Sequence, residues 1–360
     1  MILKTYQKNI IYSFLKNILV VSVVFICLAF FLNILEEIRF FKNTGANIQY
    51  PIFLTFLNVP TILYELFPFV ILISTQLFFL NSFNKTEIII YKNFGLSNIN
   101  IIKIITLFSF IFGIFIITVF YTFSSELKYS YLSFKNKFTN DNKYLAVINE
   151  NGLWIKDEVN ETINIINAEK FKDNLVENVT IVQLSQNFDF IKNINAKGAD
   201  IKNNNWLLYG VEVYSKDKPN QNYQKFEFYS NFNKQKIDGL FSNLSSQNLY
   251  KLNVMMNDYE NLGYSSLEVK AYIYKIISYP FYLAIMALIG SILMYNVKYN
   301  KSKTIVILIG ITVSVFIYYL IYFSNLLGTN ENLPLIVSTG LPYILLFLAS
   351  SVGLVSVNEK

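Results

Sequence analysis

NILVVSVVFICLAFFLNIL, residues 17–35, runs for nineteen residues without a formal charge. At about 1.5 Å of rise per residue a helix of that length crosses a hydrocarbon core of about 30 Å. The run is too long for the apolar region of a signal peptide, and no small-x-small cleavage site precedes Glu36 and Glu37. It is therefore expected to stay attached as a membrane span, covering 18–38. Five more stretches of the same character lie near 52–80, 101–123, 271–295, 304–326 and 333–356. The chain reads as a membrane α-helical bundle of six transmembrane helices, three before and three after a long insert.

Composition agrees with this. Of 360 residues 53% are hydrophobic and only 15% charged, against roughly 25% charged in a soluble domain. Histidine is absent and Cys27 is the single cysteine. That excludes zinc hydrolases, Ser-His-Asp and Cys-His catalysis, and a disulfide framework, each of which needs residue types missing here. No metal site and no catalytic residue is expected. The phosphate-binding pattern G-x-x-x-x-G-K-[ST] is absent too, so any nucleotide that drives work is bound by another chain.

The net charge of +6 is unevenly distributed. Residues 124–270 hold 17 Lys against 18 Asp and Glu, which leaves a net +7 on the apolar segments and their short loops. An excess placed there is a topology signal and not a nucleic-acid surface. Lys4, Lys8 and Lys16, then Lys85, Lys92 and Lys103, then Lys298, Lys301 and Lys303 all fall on one side of six alternating spans. The other side receives Arg39 and Lys42 in one short loop and Glu331 in another. Both termini are thus expected in the cytoplasm and the insert outside it.

Within the insert, VENVTIVQL, NFDFIKNI, NNWLLYGVEVY and YQKFEFYS are short, rich in β-branched or aromatic residues, and bounded by Asn, Asp, Gly and Lys. Phe226 and Phe228 alternate with Lys225, Glu227 and Tyr229, and Phe188 and Phe190 flank Asp189, the period of half-buried strands. An antiparallel β domain of sandwich or jelly-roll kind is expected. Leu252–Leu262 reads as a short helix stopped by Gly263, and Ser265 with Glu268 as a capping box opening the fourth span. The expected divisions are 1–123, with a cytoplasmic interfacial helix and three spans; 124–264, the β domain; and 265–360, the last three spans.

Three features stand out for function. The loop 81–103 encodes a short helix capped by Asn84, with Glu87 reaching back, Gly95 ending it and Ser97 capping the next span. Such a rod can be pushed by a soluble partner or rest on lipid headgroups. Tyr6, Ile10 and Phe14 give residues 2–17 the apolar stripe of an interfacial helix. Finally Glu36, Glu37, Arg39, Lys42, Glu65 and Lys275 lie at the outer ends of spans, where cations suit a phosphate or carboxylate of an anionic amphiphile. For Glu65 an ion pair with Arg39 or Lys42 is the plainer expectation. Pro60, Pro68, Pro280, Pro334 and Pro342 bend or delimit helices.

This arrangement resembles the LptF/LptG (YjgP/YjgQ-type) permease family of bacterial lipopolysaccharide export. ELFPFVILISTQLFFLNSFNKTEIIIYKNFGLSN (65–98) is similar to that family's proline-bearing second helix and coupling segment. ENGLWIKDE (150–158) resembles its first β strands, and YIYKIISYPF (272–281) the start of its fourth helix. The Gly-Leu-Trp-x-Lys-Asp form at 152–157 leans toward the LptG member. The resemblance implies an inner-membrane subunit that pairs with a sister LptF-like permease and binds a cytoplasmic ABC ATPase dimer, which uses ATP and Mg while this chain binds no cofactor. It implies extraction of lipopolysaccharide and its transfer from a periplasmic jelly-roll-like domain to periplasmic bridge proteins of similar fold. Carried onto this chain, Lys85, Glu87, Tyr91 and Gly95 are coupling positions, with Glu87 touching the ATPase. Arg39 and Lys42 are candidates for headgroup phosphates and Lys275 a further one. Where family members often have a lysine inside the outer end of helix one, this chain has Asn33.

Two other readings compete. A lipoprotein-extracting permease has four spans and an insert after the first. A membrane-anchored β-domain scaffold would bind envelope partners without transport, and would tolerate changes in the 81–103 loop. A membrane hydrolase has little support, because Glu65 lacks a second carboxylate at dyad spacing.

Overall fold

The computed structural model describes residues 4–42, 47–136, 138, 153–159, 162–172, 174–216, 218–234, 236–237, 243–261, 265–296 and 303–358. Gly263, Lys298, Lys301 and residues 150–152, all used above, lie outside them. The chain divides into two compact units, Met1–Lys128 with Leu267–Lys360, and Tyr129–Ser266.

The first unit is helical. Helices α1 (Thr5–Phe41), α2 (Gln49–Asn84), α3 (Glu87–Asn93) and α4 (Asn98–Phe115) lead through a π-helical turn, Ile116–Phe120, into α5 (Tyr121–Asn136), which belongs to this unit as far as Lys128 and to the second from Tyr129. In the rest of the chain, α6 (Leu249–Asn261) belongs to the second unit; α7 (Leu267–Ile277), α8 (Tyr279–Asn296), α9 (Lys303–Thr329) and α10 (Leu335–Asn358) complete the first. Among the described residues five helices are long and apolar enough to cross a membrane, and α7 with α8 makes a sixth span bent by 49°. This is the helical bundle with an inserted antiparallel sheet that the sequence leads one to expect.

The bend has a local cause. Pro280 has no N–H and its ring opposes the α conformation just before it, so the helix breaks at Ser278, whose backbone N–H still reaches the Tyr274 carbonyl at 2.9 Å. A second proline acts on α2. Pro68 leaves the Tyr64 carbonyl without its helical donor, and the Tyr279 hydroxyl donates to that oxygen at 2.5 Å. The two rings stack at 4.7 Å, so the gap made by one proline is filled from beside the other. A Cβ on Gly113 of α4 would lie 2.6 Å from the Pro280 Cα, so only glycine lets α4 approach the bend.

Residues 5–17 are the first turns of the 37-residue α1 and do not lie apart as an interfacial helix. Ile10 and Phe14 are fully buried, and Phe14 packs edge-on against Phe78 and Phe108 at 6.2 and 5.8 Å. Farther along the bundle, buried Gln76 of α2 donates from Nε2 to the Val306 carbonyl of α9 at 2.9 Å, opposite Gly310, where a Cβ would meet the amide at 2.2 Å.

Among its described residues the second unit holds six antiparallel strands: β1 (Leu153–Val159), β2 (Thr162–Lys172), β3 (Leu175–Ser185), β4 (Phe190–Asp200), β5 (Asn205–Ser215) and β6 (Lys218–Tyr229). Among the described residues they pair in sequential order, a meander. Because side chains alternate faces with period two, the register builds rows across one face. Ile155, Ile166, Ile181, Ile194 and Val213 are successive cross-strand partners in one aliphatic row. Leu153, Ala168, Val179, Ala196 and Val211 form the next. On the same face, beyond the isoleucine row, Asp157, Asn164, Gln183, Lys192 and Ser215 make a polar row. Phe232, Ile237 and Trp206 join the apolar core, and the Trp206 indole donates to the Phe232 carbonyl at 2.7 Å.

Asp157 ties β1 to the chain just after β6, across the sheet. Its carboxylate accepts from Ser230 Oγ at 2.7 Å, the Asn231 N–H at 3.1 Å and Asn231 Nδ2 at 3.0 Å. Phe188 and Phe190 do not continue a strand in the way their alternation with Asp189 led us to expect. Residues 186–189 turn between β3 and β4, Ser185 Oγ accepts from the Asn187 and Asp189 N–H groups, and Phe188 sits at φ +64°. Helix α7 starts at Leu267, one residue later than a Ser265 cap requires, and the Ser266 hydroxyl donates to Glu260 Oε1 at 3.0 Å.

Candidate functional site

The link between α2 and α4 is built from short-range rules. Helix α2 runs on to Asn84, so Asn84 lies inside its last turn and does not cap α3. The cap position is Thr86, at φ +59°, a conformation costly for a β-branched residue. Glu87, the first residue of α3, reaches back to α2 instead, its Oε2 accepting from Ser82 Oγ at 3.0 Å. At the other end Gly95 takes φ +81°, its N–H donates to the Lys92 carbonyl at 2.8 Å, and the Leu96 N–H donates to the Tyr91 carbonyl at 3.0 Å. That pair of bonds is a Schellman motif, which needs a left-handed residue where Gly95 stands. Ser97 caps α4, its side chain accepting from the Asn100 N–H at 3.3 Å.

One face of α3 is fastened inward. Ile88 and Tyr91 are buried, and the Tyr91 hydroxyl accepts from Asn9 Nδ2 of α1 at 2.9 Å. Desolvation of the phenol raises its pKa above the usual value of 10.0, Asn9 lowers it and the nearby Glu87 charge adds to the rise. The opposite face is open: Ile89, Ile90 and Phe94 are exposed large apolar side chains, Phe94 at 83%. Lys85 and Lys92 are exposed beside them and Glu87 is half-buried. A short helix fixed on one side to two spans and apolar on the other is suited to receive a soluble protein.

The outer span ends are looser. Arg39 in the last turn of α1 and Lys42 at its C-cap are exposed. Glu65 is exposed as well and pairs with neither. Lys275, exposed in the last turn of α7, holds its ammonium 5.8 Å from the Tyr272 ring centroid. Asn33 points inward, buried, with its Oδ1 unpartnered. Thus Lys85, Glu87, Tyr91 and Gly95 are gathered on one segment, and Arg39 and Lys42 on one helix end. Ser82 and Asn9, which hold Glu87 and Tyr91, carry no motif of their own; in sequence Asn9 is marked only by lying off the Tyr6, Ile10 and Phe14 stripe.

The described residues form a polytopic helical bundle with a β sheet inserted in the chain between its halves and a short fastened helix between spans two and three, an architecture suited to a membrane permease subunit. The family model described as lipopolysaccharide export system permease LptF/LptG matches residues 8–355, nearly the whole chain. The chain belongs to this family, and is a multi-pass inner-membrane protein of the lipopolysaccharide export permease class. A comparison with individually curated proteins returned no match.

Proposed function

We propose that this chain is one permease subunit of an ATP-driven lipopolysaccharide exporter, paired with a sister permease and worked by a separate cytoplasmic ABC ATPase dimer that binds ATP and Mg. The observation that carries the reading is α3, whose inner face is fastened to α1 and α2 while Ile89, Ile90 and Phe94 stand exposed. The family membership supplies the class of cargo. With both termini cytoplasmic and the sheet periplasmic, α3 faces the ATPase and Lys85, Glu87, Tyr91 and Gly95 form the coupling site. Glu87 makes the contact; Tyr91 and Gly95 keep the helix in place. Arg39 and Lys42 meet headgroup phosphates of lipopolysaccharide at the outer leaflet, with Lys275 as a further cation, and the β domain delivers the lipid to periplasmic bridge proteins.

The test is co-purification from native membranes followed by ATP-dependent release of lipopolysaccharide from proteoliposomes. The assembled complex is expected to contain an ABC ATPase and a second permease. Glu87→Ala and Glu87→Lys should lose ATP-stimulated release. Full coupling in both variants would refute the assigned contact, and isolation of the chain with envelope enzymes alone would favour a scaffold.

A further inference from the structure

A cleft separate from the coupling site and the outer cations lies between α4, α8 and α10. It encloses about 460 Å³ and is lined along α4 by Ile99, Ile102, Lys103, Thr106, Leu107 and Phe110, with Ala284, Leu288 and Leu354 opposite. The α4 residues recur at three and four, so they form one continuous stripe of the helix. The volume lies in the range of roughly 300–1,000 Å³ that encloses ligands. Its walls are apolar except for Thr106, whose hydroxyl is buried with no hydrogen-bond partner among the described residues, and Lys103 near the α3 end, exposed and with no ion pair, hydrogen bond or aromatic contact among the described residues.

We infer that this cleft binds one anionic glycerophospholipid of the phosphatidylglycerol type, its acyl chain along the cleft and its phosphate at Lys103. Two features select this occupant. From Ile99 to Phe110 the stripe rises about 16 Å, close to half of a hydrocarbon core of about 30 Å, the depth of one leaflet. The lone cation sits near the end of the stripe that meets the interface, within reach of a headgroup when its stem lies along the wall. A helix from a neighbouring protein would cross both leaflets and gain nothing from an unpaired lysine buried beneath it. The inference rests on α4 spanning the membrane and not on the cargo, so failure of export coupling leaves it standing.

The full chain, within whatever complex it forms, is reconstituted in nanodiscs of equal phosphatidylglycerol and phosphatidylethanolamine, and retained lipids are counted by native mass spectrometry after gentle extraction. One phosphatidylglycerol per chain is expected. Lys103→Ala should lower its preference over phosphatidylethanolamine by about fivefold, the share of one lysine beside an anionic headgroup. Leu107→Trp, on an exposed wall that tolerates bulk, should displace both lipids. A photocrosslinker at position 107 should label lipid. Absence of retained lipid, retention unchanged in both variants, or labelling of a neighbouring protein chain from position 107 would each overturn the inference.

Discussion

Replacing Asp157 by alanine should open the β sheet at its far edges while leaving the spans intact. The carboxylate accepts three hydrogen bonds at 2.7–3.1 Å from Ser230 and Asn231. Ser230 is fully buried, so its hydroxyl would lose a charged acceptor that water cannot replace, whereas Asn231 is half-exposed and water can replace its share. Hydrogen bonds to a charged group contribute about 1.5–3 kcal/mol each, and an orphaned buried donor costs about 1–3 kcal/mol. Allowing for solvent at Asn231, the loss is about 3–5 kcal/mol, the cost typical of breaking a buried charged partnership. Asp157→Asn keeps the shape and one acceptor and should cost about half as much. Hydrogen exchange on the full chain in nanodiscs reads this directly. Protection in Leu153–Val159 and Ser230–Lys234 should fall by roughly a hundredfold or more in the alanine variant, at a factor of ten per 1.4 kcal/mol, with α2 and α8 unchanged. A fall of less than tenfold would refute the claim that this carboxylate closes the sheet.

Other outcomes follow from the same reasoning. Gly95→Ala forces a Cβ into φ +81°, costing about 1–2 kcal/mol; exchange protection of α3 should drop, and ATP-coupled release with it, although nothing lies within 4 Å to clash. Gly113→Ala places a Cβ 2.6 Å from backbone of Pro280 and should cost about 1–3 kcal/mol, read as a lower melting temperature in detergent; an unchanged melt would show that α4 and α8 shift freely. Tyr279→Phe orphans the Tyr64 carbonyl and should lower stability by about 0.6–2 kcal/mol, less than Gly113→Ala. Because the Tyr91 pKa is raised above 10.0 in the fold, the phenol's contribution to stability is complete below pH 10 and is lost as pH rises through the folded value. Protection of α3 should therefore be flat from about pH 6 to 9; a transition within that window would point to another group.

What could be read in the chain was local. Uncharged runs such as 17–35 announce spans because membrane thickness sets their length, and strand alternation in 205–215 or 225–229 survives because each strand has one buried face. Strand order is a matter of pairing, which alternation does not encode, so a jelly roll and a sequential meander look alike from one strand at a time. Asn84 was a sound cap by residue type, yet α2 continued through it and Thr86 took the left-handed position. Phe14 fitted an interfacial stripe as well as a buried one, since periodicity reports a face and not its neighbour. The short helix between spans two and three is visible through Glu87 and Gly95, whereas the residues that hold Glu87 and Tyr91 lie 5 and 82 residues away, at Ser82 and Asn9. The Tyr279 to Tyr64 bond spans 215 residues and has no signature in either segment alone.

Helix α3 is seven residues long, a lever of about 10 Å with three fulcrums. Its first residue is tied to α2, its middle to α1, and its Schellman stop feeds within two residues into the cap of α4. A displacement applied to its open face therefore cannot be delivered to one span alone. In the proposed exporter a stroke would reach all three, so single substitutions at Ser82, Asn9 or Gly95 would redirect it without touching the ATPase that drives it.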